Sequence, residues 1–344
     1  MSNSKGLLPE IVFIRPLLIV MLIMYHSFII YQGGWSEPTG YVPCRAYWWI
    51  SKLNYSFMLE AFVFISGYIF MYQLQKYPHR YESLIGIAKD KCKRLILPSI
   101  IFSAIYFALF YNYESIVNTT YTIVNGAGHM WYLPMLFWCF IGGWILIRCK
   151  FRKAYIIVVL ALMAIVSYVP IPLRINSAMY YLLYFYIGTI VCEQRERIAR
   201  EATGNNIVIC WILFTVTFIG LTLFDSNLES WSSDSGLIQR AIFTSISKAS
   251  RIVYATLGIA ATYLTFSHIS QRHTVSRWLI GFGNISMGVY ILQQFILQAL
   301  YYKTSLPEMV GSYWLPWIGA FITLTLSILG AYALKKCPVT KHLV

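Results

Sequence analysis

Apolar stretches long enough to cross a lipid bilayer recur along the whole of this 344-residue chain, with basic clusters between them. A hydrocarbon core of ~30 Å needs about 20 predominantly apolar residues in a helix. Candidate spans lie near 11–31, 54–73, 95–113, 130–147, 154–170, 177–192, 207–224, 252–267, 278–301 and 313–334. The fifth and sixth are short and meet at a Pro170-Ile171-Pro172 turn. Only 12% of the residues are charged, against about 25% in a soluble domain. In lipid every backbone polar group needs an internal partner, which leaves helices or closed barrels. A barrel needs short alternating segments, and these stretches are long and unbroken. The expected fold class is all-α, a polytopic membrane protein of about ten transmembrane helices. A single membrane-embedded domain over 1–344 is expected, with no separate soluble domain.

The net charge of +14 invites a nucleic-acid partner, but its distribution argues otherwise. Lys and Arg collect on the cytoplasmic side of a membrane protein. One alternating set of loops holds Lys5, the cations from Lys76 to Arg94, those from Arg148 to Lys153, Arg195, Arg197, Arg200, Arg272, Arg277, Lys335, Lys336 and Lys341. The other set holds only Arg45, Lys52, Arg174, Arg240, Lys248, Arg251 and Lys303. The bias predicts both termini in the cytoplasm, and it reads as a topology signal, so no nucleic-acid partner is expected. The first span lacks a small-residue cleavage site, since Tyr31-Gln32-Gly33-Gly34-Trp35 follows it, so it is not read as a cleavable signal. The longest outside loop, about 225–251, begins with Asp225, Glu229 and Asp234 and has room for a short amphipathic helix. The seven cysteines show no paired spacing, so neither a disulfide framework nor a zinc site is expected.

Three ionisable groups inside apolar runs carry the functional argument, because burying such a group is costly and marks function by default. Arg15 and His26 lie in the first span. Eleven steps of ~100° end about 20° past three full turns, so both point from one face. They are ~16 Å apart along the axis, with Arg15 about one turn inside the cytoplasmic end and His26 near mid-depth. Arg can bind a phosphate or carboxylate bidentately; as an alternative it snorkels to the headgroups. A neutral imidazole can serve as base, acid or acyl carrier; as an alternative it bonds between helices. Pro16 removes a backbone donor, which predicts irregularity in the first turn. Glu60 is the acidic residue of the second span, and the adjacent Arg15 or His26 is its expected partner. A purely structural ion pair is the alternative. Ser66-Gly67 suits close helix approach. Lys89, Lys91, Lys93 and Arg94 stand before the third span, either as a topology signal or as an attraction for a polyanion. His129-Met130-Trp131-Tyr132 reads as an interfacial aromatic belt, and Gln293 and Gln294 as helix–helix glue.

Taken together these residues resemble the acyltransferase 3 family of integral membrane acyltransferases. The family carries an Arg and a His ten residues apart in its first span, matched by Arg15 and His26. Its second span has an acidic residue six before Ser-Gly, matched by Glu60, with Phe62, Ser66, Gly67 and Tyr68 following. Arg94 and Pro98 fit its Arg-x-x-x-Pro, and Met130-Trp131-Tyr132-Leu133 is similar to its Leu-Trp-Phe-Leu element. Ser286 through Gln293 resembles a late Ser-Tyr-x-x-Tyr-x-x-His element, with Gln293 where the family often has His. The resemblance covers the whole chain. It implies transfer of an acyl group, usually acetyl from acetyl-CoA, to a hydroxyl of a cell-surface or lipid-linked glycan at the bacterial cytoplasmic membrane. Another acyl-CoA fits the same reading, and no metal is called for. On this reading Arg15, Lys93 and Arg94 bind the donor's phosphates, His26 is the base or acyl carrier, and Glu60 orients His26 or neutralises Arg15. A transporter or flippase built on an Arg/His/Glu relay is the competing reading.

Overall fold

The computed structural model describes residues 8–167, 171–232, 236–338 and 340. Lys5, Pro170, Asp234 and Lys341 lie outside the described residues. In chain order the helices are α1 (Pro9–Phe28), α2 (Arg45–Tyr55), α3 (Met58–Lys76), α4 (Leu84–Lys91), α5 (Leu97–Phe110), α6 (Ile116–Val124), α7 (Tyr132–Arg148), α8 (Lys153–Ile165), α9 (Ile175–Glu193), α10 (Arg195–Glu201), α11 (Gly204–Ser232), α12 (Leu237–Arg272), α13 (Arg277–Tyr302) and α14 (Leu306–Lys336). No strand occurs among the described residues, so the chain is an all-α polytopic membrane protein. Nine helical segments among them are long and apolar enough to cross a bilayer. The tenth expected span is α8, whose 13 residues reach only ~20 Å.

Three local expectations change. First, α1 starts at Pro9 and runs through Pro16 without a break. Pro9 needs no donor in the first turn, and Glu10 there suits the positive end of the helix. Arg15 is therefore nearly two turns inside the helix, and His26 stands in its last turn. Second, α2 precedes α3, so the second apolar segment extends back to Arg45. Third, the 225–251 stretch is helical on both sides of its undescribed residues, as the end of α11 and the start of α12.

The helices form two compact units. Unit one comprises Met1–Met58, Leu97–Met130 and His273–Val344. Within it α1 packs against α2, α13 and α14. A cluster of Phe28, Ile30, Tyr31, Leu297, Tyr301 and Leu315 closes one end. There Gly311 adopts φ +70 inside α14, a conformation that only glycine takes without strain. The adjoining Ser312 carbonyl accepts from the Tyr31 hydroxyl at 2.7 Å, and its Oγ accepts from Val42 N at 2.9 Å. The segment after α1 is thereby tied to α14.

Unit two comprises Leu59–Ile96 and Trp131–Arg272. Within it α11 packs on α12, and α9 on α7 and α8. Gly67 of α3 faces the Phe185 carbonyl of α9, and Gly188 of α9 faces the Phe64 carbonyl of α3, each too closely for a Cβ. The packing role expected of Ser66-Gly67 is thus a reciprocal one, in which each helix sets a glycine against the other's backbone.

Candidate active site

In unit one, α1 and α13 form a seam that carries the first two expected site residues. Arg15 Nη1 donates to the Gly283 carbonyl at 3.5 Å, and His26 Nδ1 lies 3.0 Å from Gln293 Oε1. Eleven residues separate the pair on α1 and ten separate their partners on α13, about 15–16 Å in either helix. The two helices therefore run parallel and in step. A Cβ at Gly283 would stand 3.3 Å from Arg15 Nη1, so the guanidinium occupies the space a side chain would take. No carboxylate pairs with Arg15 among the described residues, and its fork keeps further donors. Lys335 of α14 donates to the next carbonyl, that of Asn284, at 3.0 Å. Two cations thus sit at consecutive α13 carbonyls, at the end of unit one away from His26.

His26 is buried. A glutamine oxygen can only accept, so with the amide oriented this way the imidazole hydrogen is on Nδ1. The lone pair is then on Nε2, which makes no hydrogen bond within the protein among the described residues. Trp35 lies parallel to the ring at 5.9 Å, and Tyr25 tilts against it at 5.0 Å. Tyr302 donates to the Ser36 carbonyl at 2.6 Å, which holds the segment bearing Trp35. His129 presents its ring edge-on 6.4 Å from that of His26. Its Nε2 donates to the Ile291 carbonyl at 2.9 Å, and its own carbonyl accepts from the Tyr290 hydroxyl. Its tautomer is opposite to that of His26. Two fixed imidazoles therefore stand side by side in one buried aromatic cluster.

The sequence reading of His129 as a headgroup-belt residue is corrected here. It is 5% exposed and belongs to the His26 cluster. The run of aromatics around it resembles a belt, and only its pairing with α13, distant in sequence, marks it out. Gln293 is more than helix glue, because it fixes the tautomer of the expected base.

Glu60 belongs to unit two, and its partner is neither Arg15 nor His26. Arg251 Nε lies 2.6 Å from Glu60 Oε1, and Arg251 Nη2 lies 3.3 Å from Oε2. The Tyr180 hydroxyl donates to Oε1 at 3.1 Å. The carboxylate is fully buried, so a paired and hydrogen-bonded state is the one that escapes the cost of an isolated charge. The sequence places Arg251 at the end of the outside loop of about 225–251, yet α12 extends far enough to carry it into the unit. Lys93 and Arg94 are also in unit two, exposed on a π-helical turn, Cys92–Ile96.

The sequence profile described as Acyltransferase domain, acyltransferase 3, matches residues 8–336. This chain belongs to that acyltransferase family. No curated protein and no solved structure gives a significant match. The acyltransferase is embedded in a membrane by multiple spans and acts on an acceptor. The matched region contains the whole α1–α13 seam, with both histidines and Arg15.

Proposed function

We propose that this acyltransferase moves an acetyl group from acetyl-CoA to a hydroxyl of a cell-surface or lipid-linked glycan, as one membrane-embedded domain in a bacterial cytoplasmic membrane. The observation that carries this reading is the Gln293 oxygen on His26 Nδ1, which leaves Nε2 as a base. His26 Nε2 takes the proton of the sugar hydroxyl as its oxygen attacks the thioester carbonyl. The C–S bond then breaks, and the CoA sulfur leaves with the proton carried by His26. General-base help of this kind contributes about 10²–10⁴-fold in rate.

The donor's phosphates belong at the other end of the seam. Arg15 offers a fork suited to phosphate, and Lys335 adds a second charge beside it. The charge count of the loops makes this the cytoplasmic end, with both termini on the same side. The reach of ~16 Å from Arg15 to His26 is of the scale that separates phosphates from thioester in an extended CoA arm. Lys93 and Arg94, among the basic loops, add to the cationic field that draws a polyanion. Glu60 enters through Arg251, which it holds in place.

The test is purified protein with acetyl-CoA and glycans from a deletion strain, read by mass spectrometry for added acetyl. His26→Asn should abolish transfer while the protein stays in the membrane at parental levels. Acetylation at the parental rate by that variant would remove His26 from the mechanism. Transport of a glycan without its modification would instead favour the transporter reading.

A further inference from the structure

A cleft of about 710 Å³ opens in unit two. Its lining includes Trp131 before α7, Ser167 after α8, Asn176 near the start of α9, Asp225 late in α11, and residues from Arg240 to Arg251 of α12. These are all helix ends opposite those that carry Arg148, Lys153, Arg195 and Arg272. The cleft therefore opens on the side away from the basic loops.

Its chemistry has two parts. Trp131 and Phe243 give partly exposed aromatic faces, with the amide of Asn176 beside them. Such a mixture of flat apolar walls and a few polar groups suits a ligand with an apolar face and hydroxyl edges, and a pyranose ring is one. The second part is cationic. Arg240, Lys248 and Arg251 line the cleft against one lining carboxylate, Asp225. Arg251 is already held by Glu60. Lys248 donates to Ser167 Oγ at 2.8 Å, a neutral partner, and makes no ion pair among the described residues. An ammonium with a neutral partner inside a cleft is set to receive an oxyanion.

We propose that this cleft binds a sugar carrying an oxyanion, a phosphate or a carboxylate, with the ring against Trp131 and Phe243 and the anion at Lys248 and Arg240. The inference rests on the proposed function, which makes a sugar the expected ligand. It narrows the acceptor from glycans in general to charged ones.

Calorimetric titration of the purified full chain in detergent tests it with four probes. Glucose 1-phosphate and glucuronate should bind. Methyl glucoside, which lacks the charge, and glycerol 3-phosphate, which lacks the ring, should each bind at least about tenfold more weakly, the scale of one lost charged contact. Trp131→Ala should weaken the charged sugars, and so should Lys248→Gln and Arg240→Gln, with melting temperatures near that of the parent protein. Binding of methyl glucoside as strongly as glucose 1-phosphate would overturn the anion site. Equal binding of glycerol 3-phosphate would overturn the sugar site in favour of a lipid headgroup. No binding of either charged sugar, or indifference to both α12 substitutions, would overturn the proposal altogether. Acetyl-CoA is titrated in parallel. If it binds while the sugars do not, the cleft assignment fails and the donor reading stands. If the sugars bind and acetyl-CoA does not, the cleft stands and the donor reading fails.

Discussion

His26 and Gln293 face each other across α1 and α13, with Nδ1 and Oε1 3.0 Å apart although the residues are 267 positions apart in the chain. A neutral amide in this position does what an orienting group must: it holds the ring and selects the tautomer. It adds no charge of its own to steady an imidazolium, unlike the aspartate of a Ser-His-Asp triad.

Gln293 is therefore expected to act on the chemical step and not on donor binding. Gln293→Leu removes the acceptor from a buried donor, a loss of about 1–3 kcal/mol. That corresponds to a fall in kcat of roughly 5–150-fold. Acetyl-CoA affinity should stay at the parental value. Gln293→His can still accept from Nδ1 and should retain more activity than the Leu variant. A kcat unchanged in Gln293→Leu would show that the amide is only a contact between helices.

Arg15→Lys keeps the charge and loses the planar fork. We expect acetyl-CoA affinity to fall by at least about tenfold, the lower end of what the 1.5–3 kcal/mol of a charged hydrogen bond gives, and further in Arg15→Ala. Equilibrium binding checks this directly. Unchanged affinity in both variants would make Arg15 an anchor to the headgroups.

Glu60→Gln should leave Arg251 without its counter-charge. Breaking one side of a buried pair costs about 3–5 kcal/mol. The loss should appear as a lower melting temperature in detergent. Because the two residues share one interaction, their effects should not add. The double variant Glu60→Gln with Arg251→Met should melt above Glu60→Gln alone. A melting temperature in the double variant lowered by the full sum of the two single changes would contradict the pairing.

Gly67→Ala and Gly188→Ala each drive a Cβ into a main-chain carbonyl of the facing helix. Backbone cannot swing aside as a side chain can, so each should destabilise by at least about 1–3 kcal/mol. Gly220, in α11, has open space where a Cβ would go. Gly220→Ala should be neutral or stabilising by up to about 1 kcal/mol. Thermal melts of the three variants make the comparison, and three equal melting temperatures would remove the close-approach argument.

Much of the architecture was legible because hydropathy marks where helices cross lipid. The pairing of elements was not, since it depends on contacts hundreds of residues apart. Arg15 and His26 stood out as ionisable groups on one face of one apolar helix, and they do face one neighbour, α13. Their partners were hidden because one is a backbone carbonyl and the other an ordinary glutamine. Glu60 was recognised as needing a cation, but sequence proximity pointed to the wrong one. Arg251 looked like a loop residue because the first half of α12 is too polar to read as a span. A helical signal was present there: Arg240, Thr244 and Lys248 recur every four residues, as do Phe243, Ser247 and Arg251, which places them on adjoining strips of one helix face.

Unit one is assembled from three stretches of chain, and its last begins at His273, after unit two has been read through. During synthesis at about 5–20 residues per second, the glutamine that orients His26 emerges roughly 13–50 s after the histidine itself. Until then the imidazole has no α13 to hold its tautomer, and Arg15 has no carbonyl to rest on. The α1–α13 seam is therefore among the last parts of the molecule to be completed. If His26 is the base proposed above, a half-made chain lacks the contact that sets its tautomer, and acyl transfer has to wait for α13.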